Sequence, residues 1–154
     1  LYIRGGGMVF NIQFGYALME NFILFIESGS AVFLEADTER EKTPIHSSQR
    51  EHDMGISTLG LGISWYFMPA NFHVTPVIAY GDTTFEGGLI EGDSQGGLYL
   101  SLYLGKEWWV SSNWGLGVSL FGMYGRDMVE VKSTGESHNL RHMVFGILFT
   151  ATYN

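Results

Sequence analysis

Large apolar residues alternate with small or polar ones along most of the chain. In 8–18, Met8, Phe10, Ile12, Phe14, Tyr16 and Leu18 oppose Val9, Asn11, Gln13, Gly15 and Ala17. In 56–67, Leu59, Leu61, Ile63, Trp65 and Phe67 oppose Thr58, Gly60, Gly62, Ser64 and Tyr66. Leu98, Leu100, Leu102 and Leu104 oppose Tyr99, Ser101, Tyr103 and Gly105. In 143–153, Met143, Phe145, Ile147, Phe149 and Tyr153 oppose Val144, Gly146, Leu148, Thr150 and Thr152. A period of two is that of a β-strand with one apolar face. Both faces of 22–34 are largely apolar, and the pattern there does not choose between them.

Seven strands follow, at roughly 8–18, 22–34, 55–67, 72–86, 96–110, 114–131 and 141–153, each bounded by turn residues. Their connections alternate. Met19-Glu20-Asn21, Met68-Pro69-Ala70-Asn71 and Ser111-Ser112-Asn113 are tight, whereas 35–54, 87–95 and roughly 132–140 are longer and polar. Such a rhythm predicts an antiparallel up-and-down meander with two unlike ends, folded as a single domain over 1–154.

Charge decides what the second face of each strand meets. Within the strand cores 8–18, 22–34, 55–67, 72–81, 97–105, 114–125 and 143–153, only Glu27 is charged. A soluble barrel covers its outer wall with Lys, Glu, Asp and Arg. Here the second face is glycine, serine, threonine and tyrosine, which suit the narrow inside of a small barrel. The large apolar residues then face outward, where lipid tolerates them. The charges collect in connections, above all in 35–54, with Glu35, Asp37, Glu39, Arg40, Glu41, Lys42, Arg50, Glu51 and Asp53. Aromatic residues gather beside the short turns: Trp65, Phe67 and Phe72 at one, Trp108, Trp109 and Trp114 at another, with Tyr153 near the end of the last strand. They are read as an interfacial girdle.

Composition agrees. The chain is 45% hydrophobic, 15% aromatic and 16% charged, with 21 glycines, no cysteine and a mean hydropathy of +0.09. These values exclude a disordered chain and a disulfide scaffold. No apolar run approaches the length of a spanning helix. A net charge of −8 argues against a nucleic-acid partner.

Single-chain bacterial barrels have short periplasmic turns, long extracellular loops and an even number of strands. The segments 141–153 and 8–18 then both run toward the periplasm, and eight strands are expected where about seven are clear. An eighth strand would precede Leu1, or residues 1–7, with Gly5-Gly6-Gly7, would be the remnant of that strand and its loop. No basic and apolar leader precedes the first strand, so either a signal peptide has been removed or the chain is a fragment.

On these features the chain resembles the small eight-stranded outer-membrane barrels of the OmpA transmembrane-domain, OmpX and OmpW kind. The last strand, Met143-Val144-Phe145-Gly146-Ile147-Leu148-Phe149-Thr150-Ala151-Thr152-Tyr153-Asn154, carries part of the likeness, because members end in an alternating strand with a terminal aromatic; here Tyr153 is penultimate. The resemblance covers nearly the whole chain and is architectural. It implies the outer membrane of a Gram-negative bacterium, contact with outer-membrane lipid and lipopolysaccharide, and recognition of the C-terminal strand by assembly machinery. A monomer is expected, with an extracellular partner for the 35–54 loop. Fold likeness carries over no activity.

Candidate chemistry is sparse. Lipid A acyl-modifying barrels resemble the chain in size, and the deacylase type shows a His-x-Ser pair, which is absent. The nearest ingredients are Glu130, Ser137, His138 and His142, and no catalytic residue is assigned. Neither His46, Glu51, His52 and Asp53 nor Glu91, Asp93, Ser94 and Gln95 has a standard zinc or calcium spacing, and no metal or cofactor is expected. The alternation turns Glu27, Tyr66, His73, Tyr99, Tyr103 and Glu107 into the lumen, with Arg126 or Lys106 as candidate partners for a buried glutamate. The glycine-rich pieces precede no helix and are read as room for large neighbours across the barrel wall. The leading expectation is a scaffold or surface-interaction barrel. A narrow channel or conduit for a small apolar ligand is the alternative, followed by a lipid A-modifying enzyme and a soluble lipocalin-like carrier.

Overall fold

A computed structural model describes residues 2–39, 53–86, 92–131 and 136–153. The chain is all-β. Seven long strands, β1 (Tyr2–Met19), β2 (Phe22–Glu39), β3 (Asp53–Phe67), β4 (Phe72–Glu86), β6 (Gly97–Trp109), β7 (Trp114–Val131) and β8 (Glu136–Tyr153), form one sheet. A two-residue strand, β5 (Gly92–Asp93), pairs with β4. Each long strand is antiparallel to the next, in the order β1-β2-β3-β4-β6-β7-β8. The sheet curls strongly enough for Asn11 of β1 to donate a hydrogen bond to the Tyr103 hydroxyl of β6 across the interior. No ladder joins β1 to β8 among the described residues.

The short turns follow from local chemistry. Asn21 and Asn71 take the left-handed conformation, with φ of 66° and 52°, which asparagine tolerates best among residues with a side chain. At the third turn, the Ser111 hydroxyl accepts hydrogen bonds from the Asn113 and Trp114 amides at 3.3 and 3.1 Å.

At the long-loop end the strands outrun their apolar pattern. β1 begins at Tyr2, β2 continues to Glu39, and β8 begins at Glu136. Residues 35–39, expected in a loop, belong to β2, and its last three pair with β1, Asp37 opposite Arg4, Thr38 opposite Ile3 and Glu39 opposite Tyr2. Residues 2–7 are likewise not the remnant of a separate strand and loop; they continue β1 past an irregularity between Arg4 and Gly6. Backbone pairing needs no apolar side chain, so it persists where the hydropathic signal has stopped. Residues 40–52, 87–91 and 132–135, the remaining parts of the three long connections, lie outside the described residues.

The two faces of the sheet differ. Outward-pointing Leu59, Leu98, Leu100, Leu102, Leu104 and Phe149 are exposed, the last to 88%. Phe25, Ile56, Val77, Tyr99, Tyr103 and Phe121 are buried on the concave side. The ambiguous 22–34 segment resolves the same way, with Phe25, Glu27, Ala31 and Phe33 inward and Leu24, Ile26 and Val32 outward.

Register explains how so narrow an interior holds large side chains: a glycine stands opposite most of them. Phe25 pairs with Gly62, Glu27 with Gly60, His73 with Gly105, Tyr99 with Gly125 and Glu107 with Gly117. A Cβ at Gly62 would fall into the Phe25 ring, and one at Gly125 into the Tyr99 ring. Gly62→Val is therefore expected to cost about 1–3 kcal/mol, as overpacking does. Phe25→Ala in that background should recover part of the loss. A double-mutant cycle read by denaturant unfolding checks the coupling.

Candidate functional site

Polar side chains inside the curled sheet form three groups along its length. Each is built on one carboxylate and one tyrosine.

Nearest the long loops is Asp127 of β7, 1% exposed. The Thr83 hydroxyl of β4 and the Tyr99 hydroxyl of β6 both donate to its Oδ2, the latter at 2.6 Å. Those two hydroxyls lie 2.9 Å apart. The Thr83 amide donates to Ser94 Oγ at 2.8 Å, and the Ser94 amide donates to the Thr83 carbonyl at 2.8 Å. Ser94 thus folds the β5 segment onto β4.

The middle group centres on Glu27 of β2, 3% exposed. Gln13 Nε2 of β1 donates to its Oε2 at 2.6 Å, and the Tyr103 hydroxyl lies 2.9 Å from both carboxylate oxygens. Asn11 donates to that hydroxyl at 2.8 Å, and Tyr103 packs on Phe121 with ring centroids 5.0 Å apart. Beside the group is a void of about 10 Å³ lined in part by Asn11, Glu27, Ser101 and Tyr103, room for about one water.

The third group lies toward the short turns. Thr152 of β8 donates to Glu107 Oε1 at 2.8 Å, and Tyr66 of β3 lines the same pocket as Glu107. Tyr66 stands opposite His73 in the β3–β4 ladder, their ring centroids 5.3 Å apart. His73 Nδ1 is 3.0 Å from Thr75 Oγ1 and Nε2 is 3.3 Å from Ser119 Oγ; Ser64 completes the group 2.8 Å from Thr75. A neutral imidazole donates from one nitrogen and accepts at the other, which these two hydroxyls allow. Outside this group a pocket of about 290 Å³ opens, lined by Ala17, Asn21, Tyr66, Glu107, Trp109 and Thr152 among others.

Glu27, Tyr66, His73, Tyr99, Tyr103 and Glu107 therefore all sit on the inner face, but in separate groups. The partners expected for the glutamates are elsewhere. Lys106 and Arg126 are chain neighbours of inward Glu107 and Asp127, so the strand period turns them outward. Lys106 donates to the Ala70 carbonyl and lies 4.6 Å above the Phe72 ring and 5.5 Å from that of Trp108. Glu27 and Glu107 take their hydrogen bonds from uncharged donors instead.

Of the aromatic residues beside the short turns, Trp65, Phe67, Phe72, Trp108, Trp114 and Tyr153 are exposed. Trp65 stacks on Phe67 at 4.9 Å, and Trp114 meets Tyr153 edge-on at 5.3 Å. Trp109 is exposed as well, but it has the parity of Glu107 and lines the pocket mouth.

Asp127, Thr83 and Ser119 were not anticipated. Parity alone would have found them, because Asp127 continues the inward series of Ser119, Phe121, Met123 and Gly125. Ser119 and His73 make a serine–histidine pair, yet Ser119 is 1% exposed and no substrate reaches it in this conformation. The side chains of Glu130, Ser137, His138 and His142 lie outside the described residues, as do His46, Glu51 and His52. In the β7–β8 ladder His142 stands opposite Gly125, whereas Glu130 stands opposite Ser137. Five residues of strand separate these rungs, roughly 17 Å, too far for a hydrogen bond between Glu130 and His142.

The chain matches no protein-family model, no curated protein and no solved structure.

Proposed function

We propose that the chain is an integral β-barrel of a Gram-negative outer membrane, acting as a scaffold that presents its polar connections outside the cell. The observation that carries this is the exterior wall. Exposed Leu, Ile, Phe, Met and Trp side chains cover it on every long strand, while the acids with described side chains on the long strands' inner face are Glu27, Glu107 and Asp127. A monomer in water would leave a far larger apolar patch than soluble proteins expose, whereas a bilayer requires one. Exposed aromatic residues beside the short turns suit the membrane–water boundary. The ends of β2 and β3 that flank the charged connection then lie at the opposite end, the side proposed to meet an extracellular partner.

The test is insertion. The protein is expected to fold from urea only when detergent or phosphatidylcholine vesicles are supplied, and to resist SDS until heated. Brominated acyl chains should then quench its tryptophans. A folded, monodisperse protein in detergent-free buffer would overturn the proposal in favour of a soluble carrier.

Conduction is not part of this reading. Asp127–Tyr99–Thr83, Glu27–Tyr103–Gln13 and Glu107–Thr152 each join side chains from different strands across the inside of the sheet, as expected when side chains fill a narrow barrel. In planar bilayers the protein is expected to give no resolved conductance steps. Regular unitary steps would favour the channel.

A further inference from the structure

The pocket of about 290 Å³ at the short-turn end is charged in one sense only. Its described lining holds two carboxylates, Glu107 and Glu20, and no lysine, arginine or histidine. Exposure orders that lining from floor to rim. Glu107 is 5% exposed, whereas Trp109, Met19 and Met68 are exposed. Thr152 donates to Glu107 Oε1 from a neutral hydroxyl, which satisfies a lone pair and leaves the charge unbalanced. Two basic side chains lie close by and are engaged elsewhere. The ring nitrogens of His73, beside Tyr66, are 3.0 Å from Thr75 Oγ1 and 3.3 Å from Ser119 Oγ. Lys106 has outward parity and donates to the Ala70 carbonyl.

Carboxylate and indole converge at one place. Gly115 of β7 stands opposite Trp109 in one ladder and opposite Thr152 in the other. The spot that a Cβ on Gly115 would take lies 3.6 Å from Glu107 Oε2 and 3.8 Å from the Trp109 ring. A side chain there would touch both groups, and glycine leaves the space open.

A ligand that suits this lining is positive at one end and apolar at the other. An ammonium head donates charge-assisted hydrogen bonds to a carboxylate, and an indole face attracts the same charge. Met19, Met68 and Ile23 offer an adaptable apolar surface to an alkyl chain. The volume is at the small end of the range for small-molecule sites. We propose that this pocket binds a small alkylammonium ion, its head on Glu107 and Trp109 and its chain against Met19, Met68 and Ile23. The site belongs to the inner face of the sheet, so it stands whether the outer wall meets lipid or water.

The full chain, folded in a nonionic maltoside detergent so that no quaternary ammonium headgroup competes, is titrated calorimetrically with hexylammonium chloride. Saturable binding is expected. Hexanol, the same chain without the charge, should bind at least about tenfold more weakly, the loss of a charge-assisted hydrogen bond. Glu107→Gln keeps an acceptor for Thr152 and should weaken hexylammonium binding by at least about tenfold as well. Ammonium chloride at the same concentration should not displace the ligand. No saturable binding by wild type, equal affinity for hexanol, or unchanged affinity in Glu107→Gln would each overturn the site. Displacement by ammonium chloride would overturn it in favour of a bare ion site. If Glu107→Gln does not fold, Trp109→Leu at the exposed rim carries the comparison, with a several-fold loss expected and unchanged affinity overturning the site. Failure of the membrane reading shows separately, as folded protein in detergent-free buffer, and the same titration is then run in that buffer with the same outcomes.

Discussion

Leu120→Arg is expected to lower the unfolding free energy in phosphatidylcholine bilayers by about 2–4 kcal/mol, the cost of an arginine at the lipid-facing midplane of a barrel. Leu120 is 59% exposed and stands opposite Ile147, midway between the Trp114–Tyr153 and Arg126–Arg141 rungs. Tyr124→Arg, one rung inside the arginine pair, should cost only about 0–1 kcal/mol. That gradient separates the two environments available to this face. On a water-exposed wall, both substitutions would fall within about 0.5 kcal/mol of wild type. Denaturant titration of the folded protein in vesicles, followed by tryptophan emission, measures both. A flat profile along β7 would mean that the wall does not face lipid.

The fold was legible because burial has the period of the strand. Leu98 to Leu104 and Tyr99 to Gly105 separate cleanly by odd and even number, and the structure keeps the two sets on opposite faces. What hydropathy could not show was pairing beyond the apolar stretch. Tyr2 to Arg4 and Asp37 to Glu39 look like loop residues by composition, yet each has a partner across the ladder. Register was hidden as well. That Gly125 lies against Tyr99, or Gly105 between His73 and Ser119, depends on which residue faces which on another strand. Alternation within one strand does not carry that information.

The polar interior was legible residue by residue but not as groups. Glu27 and Glu107 stood out as acids at inward positions, whereas Asp127, inside the 114–131 strand but past its apolar stretch, was not singled out although it shares their inward parity. The partners were less accessible still. A buried glutamate suggests a lysine or arginine, but both nearby cations have the opposite parity. The interior instead uses tyrosine, threonine and glutamine donors. Neutral donors let a carboxyl group be satisfied without the desolvation of a second ion. The cations are left to the outer wall, where Lys106 lies over aromatic rings and Arg126 faces Arg141.

That choice makes the central group sensitive to loss of its donors. Tyr103→Phe removes the hydroxyl that lies 2.9 Å from both oxygens of Glu27, and Gln13→Leu removes the 2.6 Å amide contact. Together they are expected to destabilise the protein by about 3–5 kcal/mol, the range for stripping the partners from a buried charge. Tyr103→Phe alone should cost about 1–3 kcal/mol. The penalty belongs to the stranded carboxylate rather than to the lost contacts, so Glu27→Leu in the double-variant background should restore most of the stability. Removing both sides of a buried polar interaction is commonly near neutral. The four proteins are compared by guanidinium unfolding in the same vesicles. Restoration would locate the energy in Glu27. A triple variant no more stable than the double would mean that Tyr103 and Gln13 act by packing, Tyr103 through its contact with Phe121.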